Sequence, residues 1–337
     1  MHRHAIAEAS GRLHFWRGIN SVKISIAICT RNRQAALVET LKTLATRSLQ
    51  QQGVIELIIV DNGSTDGTQD AARSISIGTP LKLFFEPIAG VARARNRAIK
   101  EFLGDCLIFI DDDVAVSENW LQNLLLPVTR DGFDGALGFV KMPEYVTKSS
   151  VPRELYPYLA LVDEDTFEAG VPRWIATANF CITRSALETG ISFDEELGPG
   201  ALGFGEDSLF YYQLKTLGKR IAPAPDAAVV HLLDPERLTP KSMYENGYKM
   251  GRSQAYIDYH WKHMLNPRMA NRSLPRVYAS RLKFYLCLIF KQLVLQRKPA
   301  SIKYAAYGFY YEAGYREFCK KTGGRPCKYA LFGIKKL

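Results

Sequence analysis

Short apolar runs followed by polar loops and helically spaced leucines recur along the first 130 residues. The run VKISIAIC at 22–29 precedes a segment in which Leu37, Leu41 and Leu44 recur at helical spacing. The same succession of strand, loop and helix begins again near residues 55, 81 and 105. Near-continuous apolar strands that alternate with helices predict an α/β fold with a parallel sheet covered on both faces.

The pattern loosens after residue 131. Strands are expected at GALGFVKM (135–142) and AAVVHLL (227–233), on either side of an acidic, proline-bearing connector at 143–172. The helix that follows the fourth strand is expected to begin after Ser117 as its N-cap. The segment EDSLFYYQLKTLG predicts another helix, which begins with two acids at its positive end and ends at Gly218.

Composition divides the chain into three parts. Its 337 residues are 47% hydrophobic, enough for a sizeable core, and the net charge is +10. Residues 236–337 contain 21 Lys and Arg against 5 Asp and Glu, a net of +16, whereas 1–235 are acidic overall. We therefore expect a lead-in segment at 1–21, a main domain at 22–235 and a basic, aromatic-rich helical extension at 236–337.

The cysteines and the apolar segments indicate the compartment. Six cysteines show neither a CxxC pair nor zinc-ligand spacing, as is typical of a reduced cytoplasmic interior. The first 20 residues contain no apolar run of the secretory kind. The most apolar segment, 281–298, has an unbroken apolar core only from Phe284 to Phe290, too short to span a bilayer.

Polar loops follow three of the predicted strands: TRNR at 30–33, DNGSTD at 61–66 and DDD at 111–113. Ligands of parallel sheets bind at the carboxyl ends of the strands, so these loops predict a site. Arginines suit phosphates, and adjacent carboxylates next to phosphate suit Mg²⁺ or Mn²⁺. The acids of EDS at 206–208 could supply a base. The segments WIATANF and GPGALGFG are expected to line the pocket.

Six segments together resemble family 2 glycosyltransferases: ISIAICTRNR, LIIVDNGSTDGT, GVARARNRAI, FIDDDV, GFGEDSLFYYQL and VVH occur in that family's order and approximate spacing, over about residues 22–235. The resemblance implies the GT-A fold, a Rossmann-like, mostly parallel central sheet with helices on both faces, here with a C-terminal helical extension. It also implies inverting, Mn²⁺- or Mg²⁺-dependent transfer of a sugar from a nucleotide-diphosphate donor, with a UDP-sugar favoured, to a hydroxyl of a saccharide acceptor.

The same resemblance implies roles for individual residues. Asp207 is expected to be the catalytic base, with Glu206 beside it. Asp113, Asp111 and His231 are the expected metal ligands, although a histidine on an apolar strand could equally be structural. The expected nucleotide-sugar-binding residues are Thr30, Arg31, Arg33, Asp61, Arg95, Asn96, Asp111 and Asp112.

The charge of the extension has three interpretations. Basic and aromatic residues around an apolar helix favour an anionic membrane surface, and then a lipid-linked acceptor, a role in surface polysaccharide synthesis and a peripheral position on the inner face of the cytoplasmic membrane. A helical cap over the acceptor side is the second. Nucleic acid is not expected as a partner, since no known binding module is present and the acidic loops would repel phosphates.

Two other functions stay open from the residues alone. A nucleotidyltransferase would share the sheet and the acidic pair, but CTRNRQAAL lacks the glycine of a triphosphate-binding loop. A non-catalytic protein could keep the fold and bind a glycan or a nucleotide sugar.

Overall fold

The computed structural model describes residues 22–146, 151, 155–261 and 299–322. An eight-stranded sheet forms its centre, and a two-stranded ribbon packs beside it without pairing to its strands. The strands are β1 (Ile24–Thr30), β2 (Val54–Asp61), β3 (Leu81–Phe85), β4 (Cys106–Asp111), β5 (Val114–Val116), β6 (Gly135–Lys141), β7 (Phe167–Glu168), β8 (Val171–Pro172), β9 (Asn179–Thr183) and β10 (Ile221–His231).

Helices cover the sheet and continue beyond it. Short 3₁₀ turns occur at Leu49–Gln52, Pro157–Leu159, Glu164–Thr166 and Pro235–Leu238. The α-helices are α1 (Gln34–Ala45), α2 (Thr68–Ser74), α3 (Val91–Glu101), α4 (Trp120–Thr129), α5 (Arg184–Leu187), α6 (Glu206–Thr216), α7 (Pro240–His260) and α8 (Pro299–Thr322).

The sheet is mostly parallel, as predicted. Its order is β3-β2-β1-β4-β9-β6-β10-β5, and only β9 and β5 run against the other six strands. The strands are apolar and buried because helices pack on both faces, so a single apolar core runs through the sheet and its helices.

Two predicted boundaries are wrong. Helix α4 begins at Trp120 with Asn119 as its N-cap, not after Ser117, because the Ser117 N–H donates to Ala228 O in continuation of the β5–β10 pairing. Strand β10 begins at Ile221, six residues earlier than predicted. Its prolines at 223 and 225 hide the pattern, and the pairing with β6 shifts register between Ala224 and Val229, an irregularity of the kind at which a strand tolerates proline.

Strand register gathers the polar loops on one edge of the sheet. Thr30 pairs with Asp61, and Cys29 pairs with Asp111, so the loops after β1, β2 and β4 start side by side. In the antiparallel pair, His231 lies opposite Val114. The last residue of β10 is thereby placed beside the DDD segment, although 118 positions separate it from Asp113.

Helices α7 and α8 pack closely against each other and against the sheet domain. A Cβ on Gly251 would lie 1.8 Å from Tyr311 O, and one on Gly314 would lie 2.0 Å from Tyr248 O, so the two backbones touch. Two smaller apolar clusters join these helices to the connector and to α6. The division of the chain at residue 236 stays a prediction.

Two segments named in the sequence analysis, the lead-in at 1–21 and the apolar segment at 281–298, lie outside the described residues. Among the helices of the described ranges, none has the length and apolarity needed to cross a bilayer. The four described cysteines, Cys29, Cys106, Cys181 and Cys319, are unbridged.

Candidate active site

A cleft of about 690 Å³ opens at the carboxyl edge of the sheet. Its volume lies in the range of small-molecule sites. Its walls come from the loop after β1, the DDD segment, the segments 174–176 and 199–205, the start of α6 and one face of α7. The predicted site residues that line it are Thr30, Arg31, Arg33, Arg95, Asp111, Asp112, Asp113, Glu206 and Asp207.

Two aspartates of the DDD segment are held by the loop after β1. Asp112 accepts a hydrogen bond of 2.6 Å from Thr30 Oγ1 and lies 3.1 Å from Arg33 Nε, while Arg33 Nη2 pairs with Asp113. Burial raises the pKa of Asp112 to about 7, against the lowering effect of Arg33. Burial acts in the same direction on Asp113, but His231, Arg33 and Arg237 outweigh it and lower its pKa to about 2.

His231 is oriented as a metal-ligating histidine would be. Its Nδ1 lies 3.0 Å from Leu159 O, and a carbonyl oxygen only accepts, so Nδ1 carries the proton. The other nitrogen, Nε2, lies 3.1 Å from Asp113 Oδ1 and 3.4 Å from Arg237 Nη1. A backbone carbonyl that fixes the tautomer in this way is the usual second partner of a ligating histidine.

The donor set suits Mn²⁺ or Mg²⁺ in chemistry. Asp113 Oδ1 and His231 Nε2 form an ion pair of 3.1 Å, so both donor atoms lie at one place and could bind one ion. Asp111 adds a second carboxylate on the cleft wall, and its pKa is raised by burial. In the described part of the chain, no three His, Cys, Asp or Glu side chains are arranged so that they could bind a metal ion together. The three-residue metal set therefore stays a prediction.

Arg95 joins the two acidic motifs. Its Nη1 donates to Glu206 Oε1 at 2.8 Å and to Asp207 Oδ1 at 3.0 Å, and its Nη2 lies 3.7 Å from Asp111 Oδ1. The side chain is 8% exposed, and burial would lower its pKa, but the three carboxylates outweigh burial and raise it. The guanidinium is thus engaged with carboxylates of its own chain, whereas Arg31 is exposed on the cleft wall.

The acids at the start of α6 have unequal surroundings. Gly205, in the left-handed region at φ 91°, turns the chain so that Glu206 and Asp207 occupy the first helical turn, where the helix dipole favours negative charge. Burial, together with the charge of Asp207, raises the pKa of Glu206 to about 7. Asp207 is the more open, with 22% of its side chain exposed against 9% for Glu206. Asp207 is therefore better placed to meet a ligand.

The structure does not bring Asp61 or Asn96 to the cleft. Asp61 is fully buried and accepts from Ser64 N at 2.9 Å and from Gln69 Nε2 at 2.5 Å, which closes the turn after β2. Asn96 exchanges two hydrogen bonds of 2.9 Å with the backbone of Phe193. Both side chains stabilise loops in this structure, and their predicted contacts to a nucleotide remain untested.

Several cleft residues were not expected from the sequence. Tyr158 and Arg237 line it, and α7 presents Asn246, Lys249, Ser253 and Gln254 at the spacing of one helix face. That spacing is visible in the sequence, but nothing there shows which face of α7 meets the sheet domain. Thr177 belongs to the segment WIATANF, which was expected to line the pocket, but it lies behind the cleft wall, and its contact with Asp207 was not expected.

Comparison with known proteins agrees with this architecture. The family described as glycosyl transferase family 2 matches residues 25–188. The succinoglycan biosynthesis protein ExoM of Rhizobium meliloti is 26% identical over 247 residues, which cover 70% of this chain and 75% of that protein. A validoxylamine A glucosyltransferase of Streptomyces hygroscopicus subsp. limoneus is 35% identical over 104 residues, 30% of this chain and 23% of that protein. The chain thus matches about a quarter of this second relative.

Solved structures show the same fold. A mannosyltransferase from Pyrobaculum calidifontis, in complex with GDP-Man and Mn²⁺, superposes with a TM-score of 0.59 at 16% identity, over 94% of this chain and 97% of that one. Glucosyl-3-phosphoglycerate synthase from Mycobacterium tuberculosis, with Mn²⁺, UDP and glucosyl-3-phosphoglycerate, gives 0.51 at 20% identity, over 72% and 81%. At these identities the likeness concerns the fold.

Proposed function

Since the chain belongs to glycosyltransferase family 2 and has the GT-A fold, we propose that it moves a sugar, with inversion, from a nucleotide-diphosphate donor to a hydroxyl of a saccharide acceptor. One observation carries the proposal. A single cleft contains the DDD segment on one side and Asp207 on the other, with Arg95 between them. The carboxylates proposed to bind the metal and the carboxylate proposed as the base thus face the same space, as a single displacement requires.

The donor side of the proposed site lies at the carboxyl ends of β1 and β4. Asp111, Asp113 and His231 would hold Mn²⁺ or Mg²⁺, which when bound offsets the negative charge that develops on the departing nucleoside diphosphate. Arg31 and Arg237 line the same part of the cleft and would contact the phosphates. A UDP-sugar is the favoured donor.

Asp207 is the proposed base. Its carboxylate would accept the proton of the acceptor hydroxyl as that oxygen forms a bond to the anomeric carbon and the bond from this carbon to the diphosphate breaks. Attack from the face opposite the leaving group inverts the configuration, so one base suffices and no covalent intermediate is needed. Glu206 is more buried, and its pKa is raised to about 7. Near neutral pH it would therefore be partly protonated beside Asp207.

The acceptor side is formed by the connector and by α7. Trp174 offers an aromatic surface there, next to the buried ring of Tyr158 in the cleft wall. The face of α7 with Asn246, Lys249 and Gln254 offers hydrogen-bonding groups. Aromatic surfaces and polar side chains suit a saccharide. This wall supports the interpretation of the extension as a cap on the acceptor side.

A lipid-linked acceptor and a role in surface polysaccharide synthesis remain part of the proposal. They are supported by the charge of +16 in residues 236–337 and by the similarity to ExoM, a succinoglycan biosynthesis protein. Such a protein would lie on the anionic inner face of the cytoplasmic membrane without spanning it.

The test is transfer or hydrolysis of a panel of UDP-, GDP- and dTDP-sugars with Mn²⁺ or Mg²⁺, followed by EDTA, with lipid-linked acceptor extracts added in parallel. We expect one nucleoside diphosphate to be released when the metal is present, and we expect Asp113→Ala to lose this metal-dependent release. Asp207→Asn should lower turnover by about 10²- to 10⁴-fold while donor binding persists.

The control is Asp131→Asn, an exposed aspartate paired with Arg130 away from the cleft. Donor binding without turnover in the wild-type protein, with acceptor present, would favour the non-catalytic alternative. Release of pyrophosphate from a nucleoside triphosphate would favour the nucleotidyltransferase.

A further inference from the structure

Thr177 contacts the carboxylate of Asp207 through both its side chain and its backbone. Its hydroxyl lies 3.2 Å from Asp207 Oδ1 and 3.3 Å from Oδ2, and its N–H donates to Oδ2 at 3.3 Å. Thr177 is 1% exposed and does not line the cleft. Its contacts approach Asp207 from the protein side and leave the open side of the carboxylate to a ligand.

The loop that presents Thr177 is fixed at both ends. On one side, Tyr211 Oη donates to Pro172 O at 2.6 Å. On the other, buried Asn179 donates to Phe139 O and Ala227 O at 3.0 and 2.6 Å and accepts from Trp120 Nε1 at 2.8 Å. Thr177 therefore stands on a rigid support, and a rigid support is what a positioned functional group requires.

The contacts distinguish the two acids of α6. Glu206 and Asp207 share Arg95 Nη1, but the donors of Thr177 point only at Asp207. A carboxylate that accepts several hydrogen bonds is stabilised in its charged form, the form that a base needs. Glu206 has no such donors from Thr177, and its pKa is raised to about 7.

From these contacts we infer that Thr177 is a positioning residue for the base. The inference rests on the proposed function. The hydroxyl of Thr177 donates to the Asp207 carboxylate, holds its plane and keeps one oxygen facing the acceptor hydroxyl. It touches neither substrate, so its removal changes the base and leaves the donor site intact.

The charged groups that face Asp207 come from three elements. Arg95 on α3 stabilises the carboxylate, while Glu206 on α6 and Asp111 at the end of β4 act against it. Loss of the Thr177 hydroxyl removes a fixed donor from this set of groups. The orientation of the carboxylate is then less well defined, and kcat falls.

The test compares Thr177→Val, which keeps the shape and removes the hydroxyl, with Thr177→Ser, which keeps the hydroxyl. The probe is the nucleotide sugar that the panel identifies. With that donor, we expect Thr177→Val to lower kcat by about 10- to 100-fold, the range of one hydrogen bond to a charged group. The KM of the donor should stay within about twofold, and Thr177→Ser should retain most of the wild-type kcat.

A second measurement separates positioning from a structural role. In an Asp207→Asn background, Thr177→Val should lower the residual rate by much less than in the wild type, because residues that act as a unit are not additive. Thr129→Val, which removes a hydroxyl bonded to Leu125 O within α4, should leave kcat unchanged.

The outcomes are distinct. A wild-type protein that turns over none of the donors overturns the proposed function. An active wild type with a Thr177→Val variant of equal kcat overturns the inference alone. If Thr177→Val does not fold, Thr177→Ala is measured in its place. A Thr177→Ser variant as impaired as Thr177→Ala would then also overturn the inference, since the hydroxyl would not be the group that matters.

Discussion

At the scale of single residues, Glu206 and Asp207 meet one guanidinium and yet have different environments. Glu206 is the more buried, and its pKa is about 7, whereas a carboxyl of this kind in the unfolded chain has a pKa near 4.5. Between pH 4.5 and about pH 7, Glu206 therefore keeps its proton in the folded protein, whereas the unfolded chain has released it. Folding stability from this group is full below pH 4.5 and is lost as the pH rises through 7.

Glu206→Gln should remove this pH dependence. We expect the wild-type free energy of unfolding to fall, relative to that of the variant, by about 2 to 3 kcal/mol between pH 5 and pH 8, because about two units of the pKa shift lie within this range. Urea unfolding at both pH values measures it. Titrating groups that do not contact Glu206 or Arg95, Asp112 among them, are common to both proteins and cancel in the difference. Parallel pH curves for the two proteins would show that Glu206 titrates normally.

The sequence predicted some site residues and could not predict others. Asp111, Asp113 and Asp207 line the cleft, and the sequence could indicate this position because each lies at the end of a strand or the start of a helix within a recognisable motif. Their roles stay predictions. Asp61 belongs to such a motif too, yet its oxygens are taken up by Ser64 and Gln69, which only the folded turn reveals. Thr177 has no motif of its own, since its role depends on a contact across 30 positions of the chain.

At the scale of elements, α7 is the main addition to the sequence-based picture. Helical periodicity in the basic segment predicted a helix, but a helix with polar residues on several faces does not reveal which face is covered. The structure assigns one face to the cleft, with Lys249 and Gln254, and another to α8, with Gly247 and Gly251. One helix therefore links the cleft wall to the packing of the extension.

Gly251→Ala should force α7 and α8 apart. The new Cβ would lie 1.8 Å from Tyr311 O and 2.7 Å from Tyr311 C, and these are backbone atoms that yield only if the helix moves. We expect a loss of about 1 to 3 kcal/mol in unfolding free energy, as for other overpacked sites. Chemical denaturation measures it, with Glu245→Ala, at an exposed position of the same helix, as the control. An unchanged midpoint would mean that the helices do not touch at Gly251 in solution.

At the scale of the whole molecule, the sequence predicts the sheet only in part. The parallel sheet could be predicted because its strands are local apolar runs. The antiparallel insertion of β9 between β4 and β6 could not, because pairing partners are set by the folded topology.

The segregation of charge between residues 1–235 and 236–337 is visible in the sequence alone. What this segregation means depends on the partner that the basic segment meets.

If the extension meets an anionic membrane, the full chain should sediment with phosphatidylglycerol vesicles and not with phosphatidylcholine vesicles. Binding should weaken between about 0.1 and 0.5 M salt, as screening shortens the range of the charges. The double change Lys320→Glu/Lys321→Glu, at exposed positions of α8, should reduce binding, and Lys100→Glu on α3 should not. Equal binding to both vesicle types would remove the membrane from the proposal.

Arg95 has a consequence for how this protein can vary. Replacing Arg95 alone would leave Glu206 as a buried carboxylate without a counter-charge. A lysine could not contact all the carboxylates that the planar guanidinium bridges. Single steps away from arginine at this position are therefore costly. A viable path goes through paired substitution, with position 206 becoming neutral before or together with position 95. The two positions are expected to co-evolve as one inherited unit, although 111 residues separate them in the chain.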